Sequence, residues 1–205
     1  EIVTHKAEKY NNQFDVIRKD KYINGAGGAR CTLVLKKRVR MKLEKELEYS
    51  GQVFGFEYSK KEINRAIRFS EQYPTALPLF PLIENKMTKP ECLYYLESAG
   101  IKRPKMYELG YGNNNCIGCV KGGMGYWNKI RKDFPDVFAE MAKAERELGR
   151  SCLKGTFLDD LDPNAGREQK MIMPDCGNFC DIEFADIMHK NVEKIYEEPK
   201  QLRLI

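Results

Sequence analysis

A chain of 205 residues is long enough to bury a substantial core, and its 42% hydrophobic and 32% charged residues are those of a globular protein, which excludes a disordered or low-complexity polypeptide. No apolar run approaches the roughly 20 residues that span a bilayer and no signal peptide is evident, so a cytoplasmic protein with no membrane partner is expected. The net charge of +5 hides an asymmetry, since ten Lys or Arg stand between Arg18 and Lys45 against only Asp20 and Glu44. Charge this concentrated points to an anion, either phosphate or nucleic acid; the alternative is a solvated basic helix face.

In chain order, residues 14–18 have the β-rich composition of a short strand, and residues 24–30 form a glycine-rich loop. Leu35, Val39, Leu43 and Leu47 then recur every fourth residue, predicting a helix from near Thr32 that ends before Gly51. Cys31 falls at its N-terminus, where exposed amides, the helix dipole and Arg30 favour a thiolate; the alternative is a buried, unreactive cysteine. Lys36, Lys37, Arg38 and Arg40 ride on this helix as candidate anion-binding residues. Residues 51–58 read as a second strand, and Ser59 with Glu62 forms a capping box that opens a helix with Ile63, Ala66, Ile67 and Phe69 inward. Strand, helix, strand, helix implies parallel strands and an α/β fold. Arg65 lies one turn into that helix, away from the apolar stripe, and is a candidate anion clamp or a plain surface arginine.

The proline-rich residues 74–83 read as an extended connector that packs Leu79, Phe80, Leu82 and Ile83 inward. Thr88 and Glu91 form a second capping box, with Cys92 expected in the core. Residues 110–131 combine Cys116-x-x-Cys119, three asparagines, several glycines and the single tryptophan. The turn between the cysteines brings both sulfurs to one side, and Gly118 permits its tight backbone; zinc, an iron–sulfur cluster and a redox dithiol are all compatible with it. The amides of residues 122–125 are suited to an anion nest, and Trp127 is core or a base-stacking platform, with the core the commoner case. Residues 135–149 form an amphipathic helix capped by Gly149, with Glu145 near the edge of its apolar face. Residues 159–166 read as turns and only weakly as a magnesium site. Cys176 and Cys180 follow as a second pair, and with Cys116 and Cys119 their spacing fits four-thiolate zinc or a four-cysteine cluster. Seven cysteines, an odd number, argue against a secreted disulfide framework.

With these residues in place, the chain resembles the phosphoadenosine phosphosulfate reductase family of the PP-loop, adenine nucleotide α-hydrolase-like superfamily. The resemblance is carried by residues 22–25 and 29–40, by Gly55 and Phe56 with Arg65, by residues 79–83 and 102–107, and above all by residues 113–131. It implies a Rossmann-like parallel sheet and an oxidoreductase or PP-loop transferase acting on an adenine nucleotide or an adenosine phosphosulfate-type substrate, with a thiol reductant such as thioredoxin as partner. It also implies a 4Fe–4S cluster, with zinc as the alternative metal, held by Cys31, Cys116, Cys119 and Cys180, with Cys176 as the catalytic nucleophile. Lys36, Lys37, Arg38, Arg40 and Arg65 would bind substrate. The family's Ser-Gly-Gly-x-Asp/Thr-Ser phosphate loop has no counterpart here. The expectation is therefore a partial nucleotide-binding core over residues 1–110 that lacks the first βαβ unit, followed by a cysteine-bearing region over residues 111–205. ATP and Mg2+ would bind only where an upstream PP-loop exists. A second reading is a zinc-stabilised nucleic-acid-binding or interaction protein without catalysis.

Overall fold

Capping, more than composition, decides the first element. In the computed structural model, which describes residues 4–24, 28–166 and 171, the segment read as a strand is a helix, α1 (Gln13–Asp20). Asn12 accepts the Asp15 amide at 3.0 Å and the Asp15 carboxylate accepts the Asn11 amide at 3.0 Å. That reciprocal cap starts a helix although Phe14, Val16 and Ile17 are good strand formers, and helical spacing buries all three. Lys21 in the left-handed region ends it.

A continuous helical run follows as α2 (Arg30–Thr32), a π-helical stretch (Leu33–Lys37) and α3 (Arg38–Glu46). The predicted helix is present, but the wider π turns shift its phase. Thr32 and Val34 are buried, Leu35, Val39 and Leu43 are half-buried, and Leu47 lies beyond the helix and is exposed. Next come β1 (Gln52–Val53), α4 (Lys60–Gln72), a 3-10 turn (Pro74–Ala76), β2 (Pro78–Leu79), α5 (Pro81–Glu84) and α6 (Lys89–Ser98). The second capping box is complete, whereas at Ser59 only the N-cap half forms, since the Ser59 amide donates to the Glu57 carbonyl and Glu62 pairs with Arg65. Ser59 accepts the Glu62 amide, and the Glu91 carboxylate accepts the Thr88 amide at 2.7 Å. Cys92 is half-buried, and α6 buries no residue fully, so the core position expected for that cysteine is not found. The chain continues with α7 (Lys105–Glu108), α8 (Met124–Asp133) and α9 (Pro135–Leu148), the last closed by Gly149 at φ +64°.

The expected α/β fold with a Rossmann-like parallel sheet is overturned. Among the described residues the only sheet is the parallel pair of β1 and β2, two residues each, with Gln52 opposite Pro78 and Val53 opposite Leu79. Helices dominate, because the first run that suggested a strand is taken up by a capped helix and only two residues of the second, Gln52 and Val53, pair as a strand.

The chain forms two compact units. One is Glu44–Arg103 among the described residues, built on the packing of Phe54, Phe69 and Phe80; the Phe54 and Phe69 ring centroids lie 4.4 Å apart. Ile63, Ala66 and Ile83 complete that core. The other combines residues 4–43 with 104–166 and is helical, its core centred on Tyr126, Trp127 and Ile130 of α8 and Met141 of α9, all fully buried. Trp127 is thus core.

Glu145 is also fully buried, well inside the edge position its spacing suggested. Its carboxylate accepts the Cys152 amide at 2.6 Å and the Leu158 amide at 2.7 Å, so it ties the 150–158 loop to α9. Burial, and then the Glu145 charge beside it, push the Cys152 thiol well above its ordinary pKa and keep it protonated. Glu145→Ala removes the acceptor for two amides and leaves a void, so we expect a loss of about 3–5 kcal/mol in urea unfolding, larger than for a surface carboxylate such as Glu147→Ala.

Candidate functional site

Two features carry chemistry: the basic helical run, of which residues up to Leu43 belong to the helical unit and the last turn to the other, and the Cys116–Cys119 turn of the helical unit. The basic run starts where Arg30 meets Asp20 at 2.8 Å, and Tyr10 donates its hydroxyl to the same carboxylate at 2.7 Å. The Arg30 guanidinium, and then the Tyr10 hydroxyl, hold the Asp20 carboxyl below the usual carboxylate range. Other cations of the segment are also paired. Arg18 lies 3.0 Å from Glu140, Lys19 lies 2.9 Å from Asp15, and Lys42 meets Glu8. The positive excess counted along the sequence is therefore partly neutralised, much of it by carboxylates far away in the chain.

On α3 the pattern is different. Arg38, Lys42 and Lys45 are spaced by four and three residues, so they share one face, and all three are exposed. Among the described residues no carboxylate pairs with Arg38 or Lys45. Lys36, Lys37 and Arg40 are half-buried, the first two within the π-helical stretch. Arg65 belongs to the other unit, where it pairs with Glu62 at 2.6 Å and sits over the Phe56 ring. Of the anion-binding residues expected from sequence, Arg38 is thus the exposed one on α3, and Lys42 and Lys45 join it on that face. Their i, i+4, i+7 spacing was the available signal.

The cysteine turn is held from several sides. Cys116 is exposed and Cys119 buried, with Ile117 and Gly118 forming the turn between them. The Tyr126 hydroxyl accepts the Cys119 amide at 3.0 Å and donates to the Cys116 carbonyl at 3.2 Å, bridging both ends. Gln13 of α1 donates to the Ile117 carbonyl at 2.6 Å and to the Gly118 carbonyl at 3.2 Å, and Asn24 donates to the Val120 carbonyl at 3.0 Å. Gly118 is at φ +72°, and a Cβ there would lie 2.5 Å from Val137, so only glycine fits. Burial pushes the Tyr126 hydroxyl far above the usual phenol range, so it acts as a neutral hydrogen-bonding bridge. Gln13, Asn24 and Tyr126 escape a sequence reading because nothing local marks a side chain as a partner of a distant backbone.

The glycines after the turn serve packing. A Cβ on Gly122 would overlap the Tyr126 ring at 1.9 Å, and one on Gly125 would lie 2.8 Å from the Gly166 carbonyl oxygen. The protein itself fills the space that an anion nest would need. The turns at 159–166 are bound to α8, where Asn128 donates to the Asp162 and Ala165 carbonyls and Arg131 donates to those of Leu158 and Leu161.

The metal expectation does not survive. Among the described residues no three His, Cys, Asp or Glu side chains are grouped to hold an ion, so Cys31, Cys116 and Cys119 do not assemble a 4Fe–4S or zinc site. Cys31 is half-buried and packs against the apolar core instead. Cys176 and Cys180, the expected nucleophile and fourth ligand, lie outside the described residues. No family model, curated protein or solved structure matches the chain. The resemblance to phosphoadenosine phosphosulfate reductases is overturned with it. Among the described residues the helical fold offers no doubly wound sheet to carry a nucleotide or ATP with Mg2+, and the oxidoreductase or PP-loop transferase reading falls for the same reason. The zinc-stabilised alternative falls as well, with no ligand group among the described residues. No helix among the described residues is long and apolar enough to cross a membrane.

Two variants probe these supports. Because the folded pKa of Asp20 is depressed, its contribution is fully present above the ordinary carboxylate pKa of about 3.9 and is lost as pH falls through the lower folded value. Asp20→Asn is expected to cost about 1–2 kcal/mol at neutral pH, moderated by solvent around the 38% exposed Arg30, with the difference from wild type narrowing in urea titrations as pH falls below the ordinary carboxylate range. Tyr126→Phe strips a buried amide of its acceptor and should cost about 1–2 kcal/mol while speeding amide exchange at residues 116–119, measured by hydrogen–deuterium exchange.

Proposed function

We propose that the chain binds the phosphate backbone of nucleic acid through the exposed face of α3, with Arg38, Lys42 and Lys45 as the primary contacts and Lys36, Lys37 and Arg40 supplying flanking positive charge. The observation that carries the reading is the row of three exposed cations at helical spacing on an element that buries none of its residues. A polyanion with regularly spaced charges gains from such a row by releasing condensed counterions, which needs neither a pocket nor a metal. The π-helical stretch just before the row adds support, since such stretches occur often at functional sites. Lys42 already meets Glu8, so binding a phosphate there exchanges one exposed ion pair for another at little cost. Base-specific reading is not part of the proposal, because Met41 is the one exposed apolar side chain beside the row and no aromatic residue stands on α3.

Fluorescence anisotropy with a labelled random-sequence duplex tests it. Binding should weaken steeply with salt. The triple variant Arg38→Gln, Lys42→Gln, Lys45→Gln should reduce the slope of log K against log salt by about 0.9 per lost contact, roughly 2 to 3 in all. A variant of equal net charge with Lys102, Lys105 and Lys154, all exposed, changed to Gln should retain most of the slope. Equal losses in both variants, or no binding at low salt, would remove α3 as the contact surface.

A further inference from the structure

We propose that Cys116 and Cys119 form a dithiol that closes into an intramolecular disulfide by exchange with a small disulfide such as oxidised glutathione, independently of nucleic-acid binding. Three observations carry this. The first is the turn: Ile117 and Gly118 fold the chain back between the cysteines, Gly118 having the positive φ that a type II turn requires at its third position. The ends of a β-turn lie within about 7 Å, which overlaps the separation over which a disulfide spans two Cα atoms. Independently of the turn, one oxygen atom, the Tyr126 hydroxyl, touches the peptide groups of both cysteines, so the two backbones are side by side.

The second observation is asymmetry. Cys116 is exposed, whereas Cys119 is 4% exposed beneath it in the core. An accessible attacking thiol beside a shielded resolving thiol is the arrangement that favours an internal disulfide over a lasting mixed one. The third is rigidity. Gln13 and Tyr126 hold the turn by its backbone, and Val137 leaves no room for a side chain at Gly118, so the backbones of the two cysteines have little freedom to separate. Among the described residues no third metal-ligating side chain is grouped with the pair.

The chemistry balances as two exchanges. The Cys116 thiolate attacks one sulfur of the external disulfide, breaking its S–S bond and releasing one thiolate. Cys119, after losing its proton to solvent, attacks the Cys116 sulfur and releases the second. The protein gives up two electrons and two protons, and the external disulfide becomes two thiols.

The test uses the reduced full chain, incubated with glutathione disulfide, alkylated and mapped by peptide mass spectrometry. The peptide carrying residues 116 and 119 should lose two hydrogens and escape alkylation at both cysteines. Cys119→Ser should accumulate a stable glutathione adduct on Cys116, while Cys116→Ser should react at Cys119 at least about tenfold more slowly, because access limits the attack. Emission from Trp127, whose ring edge lies 3.5 Å from the Cβ position of Gly118, reports whether each variant is folded and should change in wild type as the disulfide closes. A wild-type protein that keeps glutathione on Cys116, leaves both thiols open to alkylation, or links either cysteine to a third one overturns the proposal. The wild-type map decides the matter even where a serine variant fails to fold.

Discussion

Buried loop backbone has to find hydrogen-bond partners, and among its described residues the helical unit has no sheet to provide them. Leu153 and Thr156 form an isolated bridge there. Side chains on the helices do the work instead. From α1, Gln13 holds the carbonyls of the cysteine turn; from α8, Tyr126, Asn128 and Arg131 hold both that turn and the 158–165 loop; from α9, Glu145 holds the amides of Cys152 and Leu158. Each such bond contributes only about 0.5–1.5 kcal/mol net, but losing a partner exposes the full cost of a buried, unsatisfied peptide group. The loops are therefore fixed by a few irreplaceable polar atoms, most of them on α8, which also carries the fully buried Trp127.

This way of building explains which parts of the molecule can be read from its sequence. The N-cap at Ser59, the capping box at Thr88 and the stop at Gly149 are local and hold. The apolar stripe of α9 is local too, and Met141 and Ala142 are buried as its spacing requires. Residues 14–18 fail because β-branched composition was weighed above the Asn12–Asp15 cap, which is worth more to an isolated turn than strand propensity is without a partner strand. The α/β inference fails in turn, since it multiplied several short strands into a sheet. Glu145 was legible only as a residue near the apolar face. Its role depends on two amides 7 and 13 residues further along, in a loop whose path no periodicity foretells.

The cysteines and the charges show the same limit in chemical terms. Spacing alone makes Cys116 and Cys119 a plausible half of a metal site, but coordination needs further ligands, and grouping is a property of the fold. Likewise a window count of Lys and Arg records charge before pairing. Arg18 is matched by Glu140, 122 residues away, and Lys42 by Glu8, 34 residues away. Such exposed pairs add little stability, yet they decide which cations keep uncompensated charge, and on α3 Arg38 and Lys45 are exposed with no carboxylate paired to them among the described residues.

Both features of the helical unit are supported from α1. Its first residue, Gln13, holds the cysteine turn through two carbonyls, and its last, Asp20, holds Arg30 at the start of the basic run. The eight residues from Gln13 to Asp20 form one capped helix of about 12 Å, with Phe14, Val16 and Ile17 buried, too short and too well packed to bend independently at its two ends. A change at the turn that displaced Gln13 would therefore act on the helix as a whole, and through Asp20 on the first residue of the segment that carries the cations. The dithiol and the basic face occupy different elements, but they rest on a single rigid support whose two ends are fixed by polar contacts of opposite sense, a side-chain amide donating at one end and a carboxylate accepting at the other.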